Sequence, residues 1–173
     1  MSPERIAFIV AVGGFVSLAA IIDFRTRRLP NALTVPACLL GLVFNLALGY
    51  FHSGWEGLAA GGLSSLGGFA LGFGLLFVLW VTGGGGGGDV KFMGAVGAWV
   101  GPMTTLYVFL IGAVYVLLGS LVLRLTQRRE TASPASTTST RSVPARRQVM
   151  PWAVPIALAV WSVLLYLNLY RPS

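Results

Sequence analysis

Five stretches of this chain, 6–22, 32–51, 57–82, 103–123 and 151–170, are apolar almost throughout and long enough to cross a lipid bilayer as helices. A helical span needs about 20 predominantly apolar residues to cover roughly 30 Å of hydrocarbon, because without water every backbone amide must be satisfied inside the segment. A chain of 173 residues with 55% hydrophobic and 10% charged residues has too little polar surface to coat a water-soluble globule. Soluble domains carry about 25% charged residues. Mean hydropathy, +0.80, points the same way. The expected fold class is all-α: a polytopic membrane protein of about six transmembrane helices, with 1–173 forming a single membrane domain.

The sixth helix is the stretch 90–101. At 1.5 Å per residue it reaches only about 18 Å, so length alone leaves open whether it crosses fully or re-enters. Charge arbitrates. If it crosses, one face of the membrane carries Arg25, Arg27, Arg28, Lys91, Arg124, Arg128, Arg129, Arg141, Arg146 and Arg147, and the other only Arg5 and Arg171. That asymmetry is the one expected of a cytoplasmic face, with both chain ends outside. Five crossings would split the basic clusters between the two sides.

The segment 127–149 is rich in Ser, Thr, Pro and Arg, offers almost nothing to bury, and is expected to be a disordered cytoplasmic loop. The net charge of +7 does not imply nucleic acid, since the basic residues lie between apolar runs rather than along a stripe interleaved with aromatics. One cysteine, Cys38, can form neither an internal disulfide nor a CxxC metal site. Glu4 beside Arg5, with an arginine cluster after the first run instead of a small-residue cleavage site, makes that run a retained helix rather than a secretory signal. Pro36 is tolerable near the start of the second span, Asn31 is a suitable cap for its first turn, and Gly101-Pro102 reads as a turn.

The two aspartates of the chain, Asp23 and Asp89, fall at the same-side ends of hydrophobic helices. An ionisable group at the hydrocarbon boundary is costly unless paired, hydrated or functional, so each is a candidate site residue. Two carboxylates brought close cannot both ionise cheaply, so one keeps a proton. The ionised partner can then take a proton from water attacking a peptide carbonyl while the protonated one donates to the carbonyl oxygen. That chemistry requires neither metal nor cofactor. For either aspartate alone a helix end or hydrated turn is the plainer explanation, and a membrane carboxylate pair also suits a proton or cation pathway.

Asp89 follows six consecutive glycines, 83–88, which either let it be carried inward toward Asp23 or form a flexible connector. They are no phosphate-binding loop, because no Lys-Ser/Thr pair follows. Lys91, the single lysine, either stabilises ionised Asp89 or anchors a helix end at the headgroups. Arg25, Arg27 and Arg28 are better explained as topology determinants than as catalysts. His52, in an outer loop with Trp55 and Glu56, is far from both aspartates in this topology, and no Ser-His-acid set converges on one side.

The stretch Asp23-Phe-Arg-Thr-Arg-Arg-Leu-Pro-Asn31 resembles the first aspartate motif of type IV prepilin peptidases, with Leu29 in place of isoleucine. Gly86-Gly-Gly-Asp89-Val-Lys91-Phe-Met-Gly-Ala-Val-Gly-Ala-Trp-Val-Gly-Pro102 resembles that family's GxGD motif and the helix after it, and Met150-Pro-Trp-Ala-Val-Pro155 an altered form of its Pro-Tyr-Gly-Pro element. The resemblance implies a GxGD aspartic endopeptidase of a bacterial or archaeal cytoplasmic (inner) membrane. It would cut the basic leader from prepilins or prepilin-like membrane proteins at the cytoplasmic face, with Asp23 and Asp89 catalytic. Gly86, Gly88, Lys91, Arg25, Pro30 and Asn31 match positions that shape the site. Longer members carry a further cytoplasmic domain with paired cysteines that accompanies N-methylation of the new terminus, so the expected activity is peptidase without methyltransferase. The lipid bilayer is the expected surrounding, and the oligomeric state is open. Two other functions compete: a small ion-coupled carrier or channel using the aspartates, and a scaffold within a pilus or secretion assembly.

Overall fold

The structure, a computed structural model, describes residues 3–26, 29–83, 86–130 and 153–170. Four helices account for nearly all of them: α1 (Pro3–Thr26), α2 (Asn31–Val81), α3 (Gly87–Glu130) and α4 (Ala153–Tyr170). α1 opens on Pro3, whose missing N–H would have no helical partner there, and carries Glu4 in its first turn and Arg25 in its last, the polarity that suits the helix dipole.

A straight α2 of 51 residues would be about 76 Å long, more than twice the thickness of the hydrocarbon. It is not straight. Ser53 (φ −143°) and Gly54 (φ 60°, ψ −136°) leave the helical region. Past that break the chain folds back on itself, so that Gly57 lies against Gly49 and Gly61 against Asn45. α3 breaks likewise at Gly101 (φ 76°, ψ 171°), just before Pro102. Glycine takes positive φ without the Cβ penalty that other residues carry there. The four helices thus comprise six apolar segments: α1, 31–52, 55–81, 87–100, 102–130 and α4, an all-α polytopic membrane architecture. The 127–130 end of α3 is helical. The rest of the expected loop, 131–149, lies outside the described residues.

Segment 87–100 forms the axis of the bundle. Phe92, Met93 and Val96 are fully buried, with Val90, Ala95, Ala98 and Trp99 nearly so. Sheathed by protein, this helix of about 21 Å need not match the bilayer thickness. Phe15 of α1 packs on Phe92 with ring centres 5.5 Å apart, and Phe8, Phe44 and Trp99 form an aromatic cluster joining α1, α2 and α3. Gly68 and Gly97 bring the backbones of α2 and α3 together so closely that a Cβ on either would strike the other's carbonyl. α4 packs on both α1 and α3, and Trp161 donates its indole N–H to Ser17. The outer surface carries Val10, Leu39, Val43, Leu63, Leu117 and Leu165 exposed, as lipid contact requires.

The break at Gly101-Pro102 leaves carbonyls at the end of segment 87–100 without in-helix donors. Polar side chains from α2 supply them: Asn45 Nδ2 donates to the carbonyls of Ala98 (2.9 Å) and Trp99 (3.1 Å), and Ser65 Oγ to that of Ala98 (2.7 Å). In hydrocarbon, unsatisfied backbone polar groups are costly, which accounts for an asparagine and a serine inside apolar runs.

Two local expectations need correction. Asn31 does not cap α2. Pro30, extended at φ −71°, ψ 141°, occupies the cap position without a side-chain cap bond, and its carbonyl accepts the N–H groups of Leu33 and Thr34. Because the helix begins at Asn31, Pro36 lies beyond the first turn, where the absence of unpaired amides no longer explains its tolerance.

Candidate active site

Asp23 occupies the last turns of α1, where the apolar run gives way to Phe24, Arg25 and Thr26. Phe24, Arg25 and Thr26 after it are exposed, whereas Asp23 itself turns into the bundle and is 5% exposed. Asp89 lies in the first turn of α3 and is 9% exposed. Both lie where the end of α1 and the start of α2 adjoin the start of α3, since Leu29 packs on Gly88 and Lys91 bonds to Asn31. Two aspartates 66 positions apart in sequence are therefore both shielded at the same end of the bundle.

The geometry at Asp89 is a reciprocal cap. Gly86 accepts the Asp89 N–H on its carbonyl at 3.0 Å and donates its own N–H to Asp89 Oδ2 at 3.2 Å. This is the return half of a capping box, with an acidic residue three positions into the helix reaching back to the cap. It fixes the carboxylate's direction from its own backbone. A Cβ on Gly86 would stand 3.0 Å from Oδ2, so a side chain there would press the carboxylate out of its present direction by a few tenths of an ångström. The helix starts at Gly87, so the end of the glycine run is helical rather than a loose connector.

The segments bearing the two aspartates also touch directly. Gly88 faces Leu29, with the Leu29 Cβ 3.5 Å from where a Gly88 Cβ would stand. Lys91 Nζ donates to Asn31 Oδ1 at 2.9 Å, joining the N-terminal ends of α2 and α3. Of the two roles expected for Lys91, pairing with Asp89 and anchoring, its hydrogen bond serves a third: it binds one motif to the other. Pro30 holds the extended turn that delivers Asn31. Arg25 is exposed on the last turn of α1. Arg27 and Arg28 lie outside the described residues, as do residues 150–152 of the third matching element.

His52 lies at the other end of the molecule, as expected, 3.8 Å from Glu4 with both side chains exposed. Leu29, expected only as the motif position where isoleucine is replaced, is the residue that packs against Gly88. Sequence reasoning passed over Thr34, a buried residue one turn past Asn31 whose hydroxyl has no hydrogen-bond partner among the described residues. A hydroxyl in an apolar run beside the first motif was the available signal for it.

Paired carboxylates in a dry setting can share a proton and activate water, the arrangement used in aspartic proteolysis. Residues 10–121 match the model of the type IV leader peptidase family. The chain is 36% identical over 124 residues to the prepilin leader peptidase/N-methyltransferase of Escherichia coli (strain K12), covering 66% of this chain and 50% of that protein. It is 34% identical over 140 residues to the protein of the same name from Neisseria gonorrhoeae, covering 75% and 47%. With the one from Xanthomonas campestris pv. campestris it shares 31% identity over 169 residues, 93% and 48% of the two chains. The chain spans about half the length of these curated relatives. No solved structure matches it significantly.

Proposed function

The chain belongs to the type IV leader peptidase family, and from that premise we propose that it is a membrane aspartic endopeptidase removing the basic leader from type IV prepilins or prepilin-like proteins. Asp23 and Asp89 are its catalytic pair. The observation that supports this reading is that two buried carboxylates, each inside a family motif, lie at the same end of the bundle.

One aspartate is ionised and the other protonated at the start of the cycle. The ionised carboxylate removes a proton from water as its oxygen attacks the scissile carbonyl carbon, and the protonated one donates to the carbonyl oxygen. Collapse of the tetrahedral intermediate breaks the C–N bond, with the proton taken from water passing to the leaving amine. In the same collapse a hydroxyl of the intermediate returns its proton to the carboxylate that had donated to the carbonyl oxygen, so the pair regains its starting protonation. Gly86 aims Asp89 through its N–H, and Asn31 and Lys91 hold the two motifs in register.

The substrate is a membrane helix, so it reaches the enzyme by lateral diffusion and helix packing rather than through a deep aqueous cleft. The clustering of Arg and Lys on one side of the proposed topology supports a pair facing the cytoplasm at the inner membrane. Of the two activities in the relatives' names, we assign these residues the peptidase alone, since one cysteine cannot form a four-thiolate zinc site. Residues 1–173 act as one catalytic unit.

Co-expression with candidate prepilins tests this function, with leader removal read as a mass change. Conversion by the unsubstituted chain and none by D23N/D89N supports it. Ordinary conversion by the double variant removes the pair from the chemistry, and a carrier or scaffold role would then have to explain the two carboxylates.

A further inference from the structure

At the end of the bundle opposite the aspartates, α1 and α4 leave a cleft of about 190 Å³ lined by Arg5, Phe8, Ile9, Leu164, Leu167 and Asn168. Its polar and apolar parts are separated along the helix axes. Arg5 stands about one turn, or roughly 5 Å, nearer the start of α1 than Phe8 and Ile9, and Asn168 about one turn nearer the end of α4 than Leu164. The cleft is therefore apolar along most of its length, with Arg5 and Asn168 at its outer end.

Arg5 is half-buried there. Among the described residues no carboxylate pairs with it, since the adjacent Glu4 faces His52. A guanidinium presents five N–H donors and no acceptor, and near hydrocarbon it is stable only with an anion, water or backbone carbonyls to receive them. The walls beneath it are continuous with lipid-facing side chains, Ile6 and Val10 on α1 and Leu165 on α4, all exposed. An acyl chain can thus lie in the cleft and pass into the surrounding bilayer without crossing a polar surface.

We propose that this cleft binds one anionic phospholipid, its phosphate held by Arg5 and the Asn168 amide and one acyl chain lying along Phe8, Ile9, Leu164 and Leu167. One guanidinium at a membrane surface favours an anionic headgroup over a zwitterionic one by charge alone. The assignment is independent of the peptidase reading, because it uses neither aspartate.

The test is photolabelling of the full chain in bilayers with diazirine-tailed phosphatidylglycerol or phosphatidylcholine, adducts being located by peptide mass. Adducts on the peptides holding Ile9 and Leu164 should favour phosphatidylglycerol by about fivefold, the size expected of one arginine at a lipid surface. The preference should vanish in R5Q and persist in R5K. L164W, which fills the cleft, should lower adducts from both lipids there. Equal labelling of the unsubstituted chain by the two lipids, or a preference unchanged in R5Q, overturns the proposal. Adducts confined to other segments overturn it as well.

Discussion

Lys91 Nζ lies 2.9 Å from Asn31 Oδ1, so the residue two places after one aspartate is hydrogen-bonded to the residue that begins the helix following the other. The bond spans 60 positions of sequence. With Leu29 against Gly88, it gives the two aspartate-bearing segments a fixed relation independent of any contact between the carboxylates.

Breaking that bond should slow the enzyme without unfolding it. Lys91→Met and Asn31→Ala should each lower leader cleavage on the order of 10-fold by loosening the register between motifs. Their effects should not add in a double-mutant cycle. Because the bond is exposed, each variant should lose less than about 1 kcal/mol of stability in detergent unfolding. Additive losses would show that the two side chains act separately.

Gly86 and Gly88 should respond differently to the same substitution. A methyl group at residue 86 meets Asp89 Oδ2 at 3.0 Å, whereas at residue 88 it makes ordinary contact with Leu29 at 3.5 Å. Gly86→Ala should therefore cut kcat by roughly 10- to 100-fold by turning the carboxylate. Gly88→Ala should stay within a few-fold of the unsubstituted chain. Steady-state cleavage of a prepilin by the purified variants decides this, and equal losses would contradict the geometry.

Asn45 and Ser65 should matter for stability rather than for chemistry. Asn45→Leu orphans the Trp99 carbonyl at a cost of about 1–2 kcal/mol, whereas Ser65→Ala leaves the Ala98 carbonyl bonded to Asn45 and should cost less, about 0.5–1 kcal/mol. Thermal unfolding in micelles should show both losses, and the cleavage rate of the folded fraction should be unchanged.

The product's new terminus is a further check. A prepilin processed by these 173 residues with a methyl donor present should carry a free, unmethylated amine. Intact mass distinguishes the two products directly.

Much of this architecture was legible in the apolar runs, because backbone satisfaction in lipid permits few alternatives to helices. The break at Gly101-Pro102 was marked by its own residues. The reversal at Ser53 and Gly54 was placed only within a longer loop, since several residues between Phe51 and Gly57 could have turned there. The aspartates stood out because acidic residues are rare at the hydrocarbon boundary. What could not be read was pairing. Whether Lys91 would face Asp89 or Asn31 depends on how α2 and α3 lie side by side, which no local pattern encodes. Six glycines likewise carry no helix signal, so the start of α3 at Gly87 and the cap from Gly86 emerged only with the structure.

The most direct test compares single-turnover cleavage by purified D23N, D89N and D23N/D89N, each shown to be folded. If the two carboxylates work as one unit, each single variant should fall by about 10²–10⁴-fold, the range for lost acid–base catalysis, and the double variant no further. Substantial cleavage by either single variant, or losses that multiply in the double, would mean that Asp23 and Asp89 do not share the proton transfers of one reaction.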